Sequence, residues 1–156
     1  MHHYKLMADT PVLDPNLIRE VGASCVCMRV QRAGRAIGRR FDQAFRDLKL
    51  NNWQFTLLMW LASTEAPSVN DMATQMAMDR TTMTRNLRVL ERRGLLAIQP
   101  DTRDGRVKRV ALTDPGRSLL AQAAQRWRAT NEAVKRDIPA AALPGMWEAL
   151  DAIAPT

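Results

Sequence analysis

Cysteine is scarce in this 156-residue chain, where only Cys25 and Cys27 occur. A C-x-C pair on a helix points its side chains about 200° apart, which is poor geometry for a bridge. A disulfide-stapled scaffold is therefore excluded, and the composition suits a reducing compartment. Histidine is as rare, with His2 and His3 adjacent near the start. There is no Ser/His/Asp or Cys/His grouping, no glycine-rich phosphate loop, and no Cys/His/carboxylate cluster at ligand spacing. The expectation is a protein that is not an enzyme and has neither metal nor cofactor. No run approaches the roughly 18 apolar residues of a membrane span. The opening MHHYKLMADT has no signal-peptide core, so a cytoplasmic protein without a membrane partner is expected. Internal repeats and low-complexity tracts are also missing.

Basic residues, by contrast, are abundant. Lys and Arg number 23 against 16 Asp and Glu, a formal net charge of +7, which implies an anionic partner: nucleic acid, an acidic membrane surface or an acidic protein. The excess is local. Residues 80–109 hold Arg80, Arg85, Arg88, Arg92, Arg93, Arg103, Arg106, Lys108 and Arg109 against only Glu91, Asp101 and Asp104.

Hydrophobic periodicity supplies the frame. From Asn16 to Leu50 apolar residues recur at three- and four-residue steps, which predicts one long helix, or two nearly collinear ones meeting around Gly34 and Gly38. Its other face carries Arg29, Arg32, Arg35, Arg39, Arg40 and Arg46, a solvated face or a phosphate- or lipid-facing stripe. The segment Trp53–Ala62 is apolar nearly all round and is expected to form an enclosed central helix. Ser68 and Asp71 have capping-box spacing before Val69, Met72, Ala73 and Met76. A tight connection then leads to Asp79, an N-cap for a helix whose buried stripe is Met83, Leu87 and Leu90 and whose end is Gly94. Two short helices joined this closely form a helix-turn-helix candidate. LLAIQ and VKRVALT, separated by PDTRDGR, read as a β-hairpin with Asp104-Gly105 near its tip. A helix restarts at Thr113, and a last amphipathic piece holds Leu143, Met146, Trp147, Leu150 and Ile153.

Opposite the Met83–Leu87–Leu90 stripe, the second helix presents Arg80, Thr81, Thr82, Thr84, Arg85 and Arg88, side chains able to bond base edges or phosphates. The N-terminal turn of such a helix is the usual point of entry to a major groove. At the hairpin tip Arg103 and Arg106 flank Asp104, whose carboxylate can orient a guanidinium bidentately and make a rigid probe for a minor groove.

The run D-R-T-T-M-T-R-N-L-x-x-L-E-R-R-G-L, followed by D-x-R-D-G-R and V-x-L-T-x-x-G, resembles the MarR family of transcriptional regulators over nearly the whole chain. The resemblance implies a mainly α fold with a small β-hairpin wing, a winged helix-turn-helix. It implies a flexible segment 1–14, a helical dimerisation region 15–50 and 113–154, and a DNA-binding lobe 51–112. It also implies a homodimer on a near-palindromic double-stranded operator, and repression relieved by a small ligand or by oxidation. Carried over by position, Thr81, Thr82, Thr84 and Arg85 fall on the recognition helix and Ser68 near a phosphate. Asp104 and Arg106 fall at the wing tip, with Arg80 and Arg103 as phosphate or groove contacts. A small aromatic or phenolic effector would find Met28, Arg32, Arg39, Trp53, Met59 and Trp60 as candidate lining residues. Cys27 falls where the hydroperoxide-sensing branch of the family has its reactive cysteine, with Gln31, Phe41 and Asn52 at the places of that branch's tyrosines. A sequence-neutral architectural DNA-binding protein is the alternative of another class.

Overall fold

The computed structural model describes residues 12–154. His2, His3 and most of the expected flexible segment 1–14 lie outside the described residues. The chain divides into two units between Ala36 and Ile37.

The first unit contains α1 (Pro15–Ser24) and the beginning of α2 (Val26–Phe45). Asp14 caps α1 by accepting the Asn16 N–H at 2.8 Å, with Pro15 in the first turn, where its missing N–H costs nothing. The expected single helix, or a joint at Gly34 and Gly38, is corrected by the structure: both glycines lie inside α2, and the break falls at Cys25. Cys25 has φ −66° and ψ 107°, so it leaves the helical region after its N–H has closed α1 on the Val21 carbonyl. A glycine makes a helix weaker but interrupts it only where the backbone needs a conformation other residues avoid. The two cysteines are free thiols that do not share one helix, so the helical argument against a bridge between them does not apply. Leu17, Ile18, Val21, Val26 and Met28 are exposed, and α1 buries none of its residues.

The second unit contains the core. Phe41 and Phe45 of α2 pack with Phe55 of α3 (Asn52–Ser63), the Phe45 and Phe55 rings stacked at 4.7 Å. A 3-10 turn, Arg46–Leu48, separates α2 from α3. Asn51 and Gln54 form a reciprocal capping box that sets where α3 begins. α3 is less enclosed than expected: Leu57 and Leu58 are fully buried, but Trp53 and Met59 are exposed, because α3 buries only the face turned to the core. Around it lie α4 (Val69–Gln75), α5 (Arg80–Arg92) and α6 (Asp114–Arg136). They contribute Val69, Met72, Ala73, Met83, Leu87, Leu90, Leu120, Ala123 and Val134 to the buried cluster.

Strands β1 (Leu96–Pro100) and β2 (Lys108–Leu112) form the antiparallel hairpin, in register from Leu96 opposite Leu112 to Pro100 opposite Lys108. Leu96, Val110 and Leu112 face inward, as the two-residue period requires. A one-residue bridge between Ser68 and Arg109, with the Val110 N–H on the Pro67 carbonyl at 3.0 Å, ties the hairpin to the start of α4. Thr113 joins three elements: its Oγ1 donates to the Gly94 carbonyl at 2.6 Å and accepts the Gly116 N–H, capping α6. The last helix, α7 (Leu143–Ile153), follows a short 3-10 turn and buries no residue, with Trp147, Leu150 and Ile153 exposed. No helix among the described residues is long and apolar enough to cross a membrane.

Candidate nucleic-acid interface

The turn between α4 and α5 is built from local rules. Ser68 and Asp71 complete the capping box in both directions, at 3.1 and 2.9 Å, and the Ser68 bonds hold the Asp71 carboxyl below its usual range. At the other end, Ala77 takes a left-handed conformation (φ 47°). Its N–H bonds the Thr74 carbonyl and that of Met78 the Ala73 carbonyl, the Schellman closure of a helix. Alanine at this place carries strain of roughly 1 kcal/mol that glycine would avoid. Asp79 then caps α5, accepting the Thr82 N–H at 2.8 Å, and the Thr82 hydroxyl together with that N–H lowers the Asp79 pKa.

α5 buries Met83, Leu87 and Leu90 and turns the opposite face outward, as the sequence predicts. Arg80, Thr81, Thr82, Arg85, Arg88 and Arg92 are exposed and Thr84 half-buried. Thr84 Oγ1 donates to the Arg80 carbonyl at 2.8 Å, so it offers outward only lone pairs and a methyl group. Among the described residues Arg80, Arg85, Arg88 and Arg92 form no ion pair. A concave strip runs along Arg80, Thr81, Arg85, Arg88 and Arg92. A second cleft, between α5 and the hairpin, brings Arg80, Thr84 and Arg88 together with Lys108 over Val69 and Ile98. Arg92 and Lys108 therefore join this surface although pattern reading left them out of the site. The signal for Arg92 was available, since it lies four residues after Arg88 on one helix face, whereas Lys108 shares the strand face of Val110 and its exposure follows from its place at the end of β2.

Two aspartates organise the hairpin tip. Asp101 accepts the N–H groups of Arg103 and Asp104 at 2.7 and 3.1 Å on one oxygen and Arg109 Nε at 2.6 Å on the other. The Arg109 guanidinium and these N–H groups pull its pKa down to about 2. Asp104 accepts Arg106 through Nε at 3.0 Å and Nη2 at 3.1 Å, a bidentate pair that lowers the Asp104 pKa. The Arg106 side chain still stands 92% exposed. Arg103 is exposed and in no ion pair among the described residues.

Two of the nine basic side chains in this stretch are engaged by backbone carbonyls of other segments. Arg109 bonds Asp101 and the Ala66 carbonyl, and Arg93 bonds the carbonyls of Leu48 and Lys49. The local charge excess in the sequence thus overstates the cations on offer. Ser68 sits at the start of α4 with its Oγ already accepting the Asp71 N–H, leaving its hydroxyl proton to donate.

The candidate effector residues are distributed over both units. Met28 and Arg32 are exposed on α2 upstream of the division, and Arg39 is exposed downstream of it. On α3, Trp53 (53% exposed) and half-buried Trp60 are two helical turns apart and share a face, whereas Met59 occupies another. Cys27 is exposed, its sulfur accepting Gln31 Nε2 at 3.0 Å, while Phe41 is buried in the core of the other unit.

Comparison with known proteins supplies the context for this surface. No curated protein sequence matches the chain significantly. The family model for the MarR family matches residues 50–108, which run from two residues before α3 to the first residue of β2. Among solved structures, the M. tuberculosis transcriptional regulator MosR in complex with DNA is 30% identical, with 83% of this chain and 98% of that one covered and a TM-score of 0.71. CouR from Rhodococcus jostii RHA1, bound to p-coumaroyl-CoA, is 25% identical over 86% of this chain and 95% of that one, TM-score 0.74. A MarR-family transcriptional regulator from Rhodococcus sp. RHA1 shares the fold at 24% identity, covering 92% of this chain and all of that one, TM-score 0.75. A capped helix with an unpaired arginine face, an Asp-braced hairpin beside it, and these likenesses agree on one conclusion: the chain belongs to the MarR family of DNA-binding transcriptional regulators.

Proposed function

We propose that this regulator is a cytoplasmic repressor that binds a near-palindromic operator as a homodimer and leaves it when a small aromatic ligand binds. The observation that carries the reading is the outward face of α5. It holds Thr81 and four arginines in no ion pair among the described residues, with a projecting tip beside it whose Arg106 is already oriented by Asp104. Arg85 and Thr81 read base edges in the major groove, where an arginine spans guanine O6 and N7. Arg103 and Arg106 enter the adjoining minor groove, and Ser68, Arg80 and Arg88 hold phosphates. The N- and C-terminal helices form the dimer, because each leaves large apolar side chains uncovered: Leu17, Ile18 and Val21 in one unit, Trp127, Trp147 and Leu150 in the other. The effector reading draws on Trp53 and Trp60 on one face of α3, with Arg39 of the same unit to meet a carboxylate, and on CouR, which holds p-coumaroyl-CoA.

The test uses a duplex selected by the protein from a random pool, set against random duplex of equal length. A specific regulator prefers the selected duplex by about 10³ or more, whereas an architectural protein does not. Arg85→Ala costs about 1–3 kcal/mol and relaxes discrimination at one base pair. Arg106→Ala weakens both duplexes alike and flattens the salt dependence by about one unit. The reverse pattern would overturn the division of labour between helix and wing. An oxidant-sensing reading rests on the exposed Cys27 thiol. A hydroperoxide that releases the wild type from DNA but not Cys27→Ser would favour it over ligand release.

A further inference from the structure

The corner joining α2 to α3 is closed by two arginines that the proposed DNA face does not use. There the 3-10 turn ends on Lys49 in a left-handed conformation, φ 52°. The Lys49 N–H bonds the Arg46 carbonyl at 3.0 Å and the Leu50 N–H the Phe45 carbonyl at 3.4 Å. This is again a Schellman closure, built on lysine where glycine is usual, and a strained residue of this kind persists only when its surroundings over-determine it. Arg93, the C-cap of α5, supplies the restraint: one nitrogen of its guanidinium donates to the Lys49 carbonyl at 2.6 Å and the other to the Leu48 carbonyl at 3.2 Å. A single planar fork thus spans two successive carbonyls at a helix end and places a cation at the negative end of the helix dipole. From α6, Arg126 donates to the Ala44 carbonyl at 3.4 Å and to the Asp47 carboxylate. Arg93 is itself held firmly, because Gly94 (φ 69°) closes α5 with bonds from Gly94 to Glu91 and from Leu95 to Leu90.

We infer that Arg93 is a positioning residue for DNA reading: its fork ties the C-terminal end of α5 to the end of α2 and so sets the angle at which the first turn of α5 meets the bases, while Arg126 holds the same corner from α6. The inference rests on α5 being the reading helix. At about 1.5 Å rise per residue, Thr81 lies about 18 Å from Arg93 along the axis, so a tilt of about 4° at the clamp moves the reading end by about 1 Å. Base-edge hydrogen bonds do not survive such a shift, whereas flexible arginines follow a phosphate across it.

The experiment compares Arg93→Lys, which keeps the charge and loses the fork, with Arg93→Gln, using the full chain, the selected duplex and a random duplex. Both variants are expected to lose about tenfold in the ratio of selected to random affinity, the value of about one base contact. Random binding and the salt slope stay as in the wild type. Arg126→Lys moves the ratio in the same direction. If lysine restores full binding while Arg93→Gln weakens both duplexes and lowers the slope by about one unit, Arg93 is a phosphate contact and the inference fails. It fails equally if the variants melt earlier yet keep the ratio, or if neither Arg93→Lys nor Arg126→Lys folds, since the clamp is then only structural. Should Arg85→Ala also leave the ratio unchanged, α5 is not the reading helix, and the inference falls with that assignment.

Discussion

Replacing Gly116 by alanine tests how tightly the hairpin is keyed to α6. Gly116 is buried in the first turn of α6, and a Cβ there would stand 1.9 Å from the Leu95 carbonyl oxygen and 2.9 Å from Leu112 Cδ1. An ordinary carbon–oxygen contact is about 3.3 Å, so the helix start or the Leu95 backbone must give by about 1.4 Å. Neither moves freely. Leu95 O accepts the Thr113 N–H, Leu96 opens the strand pairing, and Thr113 caps α6 through the Gly116 N–H. Alanine gains about 1 kcal/mol of helix propensity over glycine. Overpacking against backbone costs about 3 kcal/mol, the upper part of the usual range. The net loss is about 2 kcal/mol, which for a chain of this length lowers the melting temperature by about 4–8 °C. Thermal unfolding followed by circular dichroism at fixed protein concentration measures it. Gly105→Ala serves as the control, because nothing lies within 4 Å of its Cβ position, and it is expected to melt like the wild type. A Gly116→Ala protein that melts with the wild type or above it would refute the reasoning.

Acid exposes the second set of bonds. The Asp101 pKa lies at about 2 in the folded protein against an ordinary 3.8, so its contribution to stability is complete above 3.8 and is lost as the pH falls toward 2. The melting-temperature gap between wild type and Asp101→Asn should narrow over that window, and a gap that stays constant or widens contradicts the assignment. Trp147→Glu, on the exposed face of α7, is expected to weaken self-association, while Arg106→Ala leaves it intact. Sedimentation showing the wild type as a monomer at micromolar concentration would remove the dimer from the proposal.

Much of the site was legible because its signals are short-range. The caps at Ser68, Asp79 and Thr113 act within three residues, and the Met83–Leu87–Leu90 stripe repeats with the helix. The Asp104–Arg106 pair is two residues apart in the chain. Each is a relation between neighbours in the chain, so their order alone specifies it. The helix break was not legible, since Gly34 and Gly38 carry the stronger local signal, yet the backbone turns at Cys25. Nor was the exposure of Trp53 and Met59, which depends on which faces of α3 the other elements cover.

By itself the sequence determined the succession from α3 to α6, the caps of α4 and α5, and the concentration of charge on α5 and the hairpin. Only the tertiary structure decided which cations remain available. Arg109 and Arg93 look equivalent to Arg85 and Arg106 in the chain, but folding brings Arg93 to carbonyls 44 and 45 residues away and Arg109 to one 43 away. A guanidinium bonds whatever acceptor closure places within its reach. Over such separations the acceptor is chosen by the packing of the whole core, which no local pattern encodes.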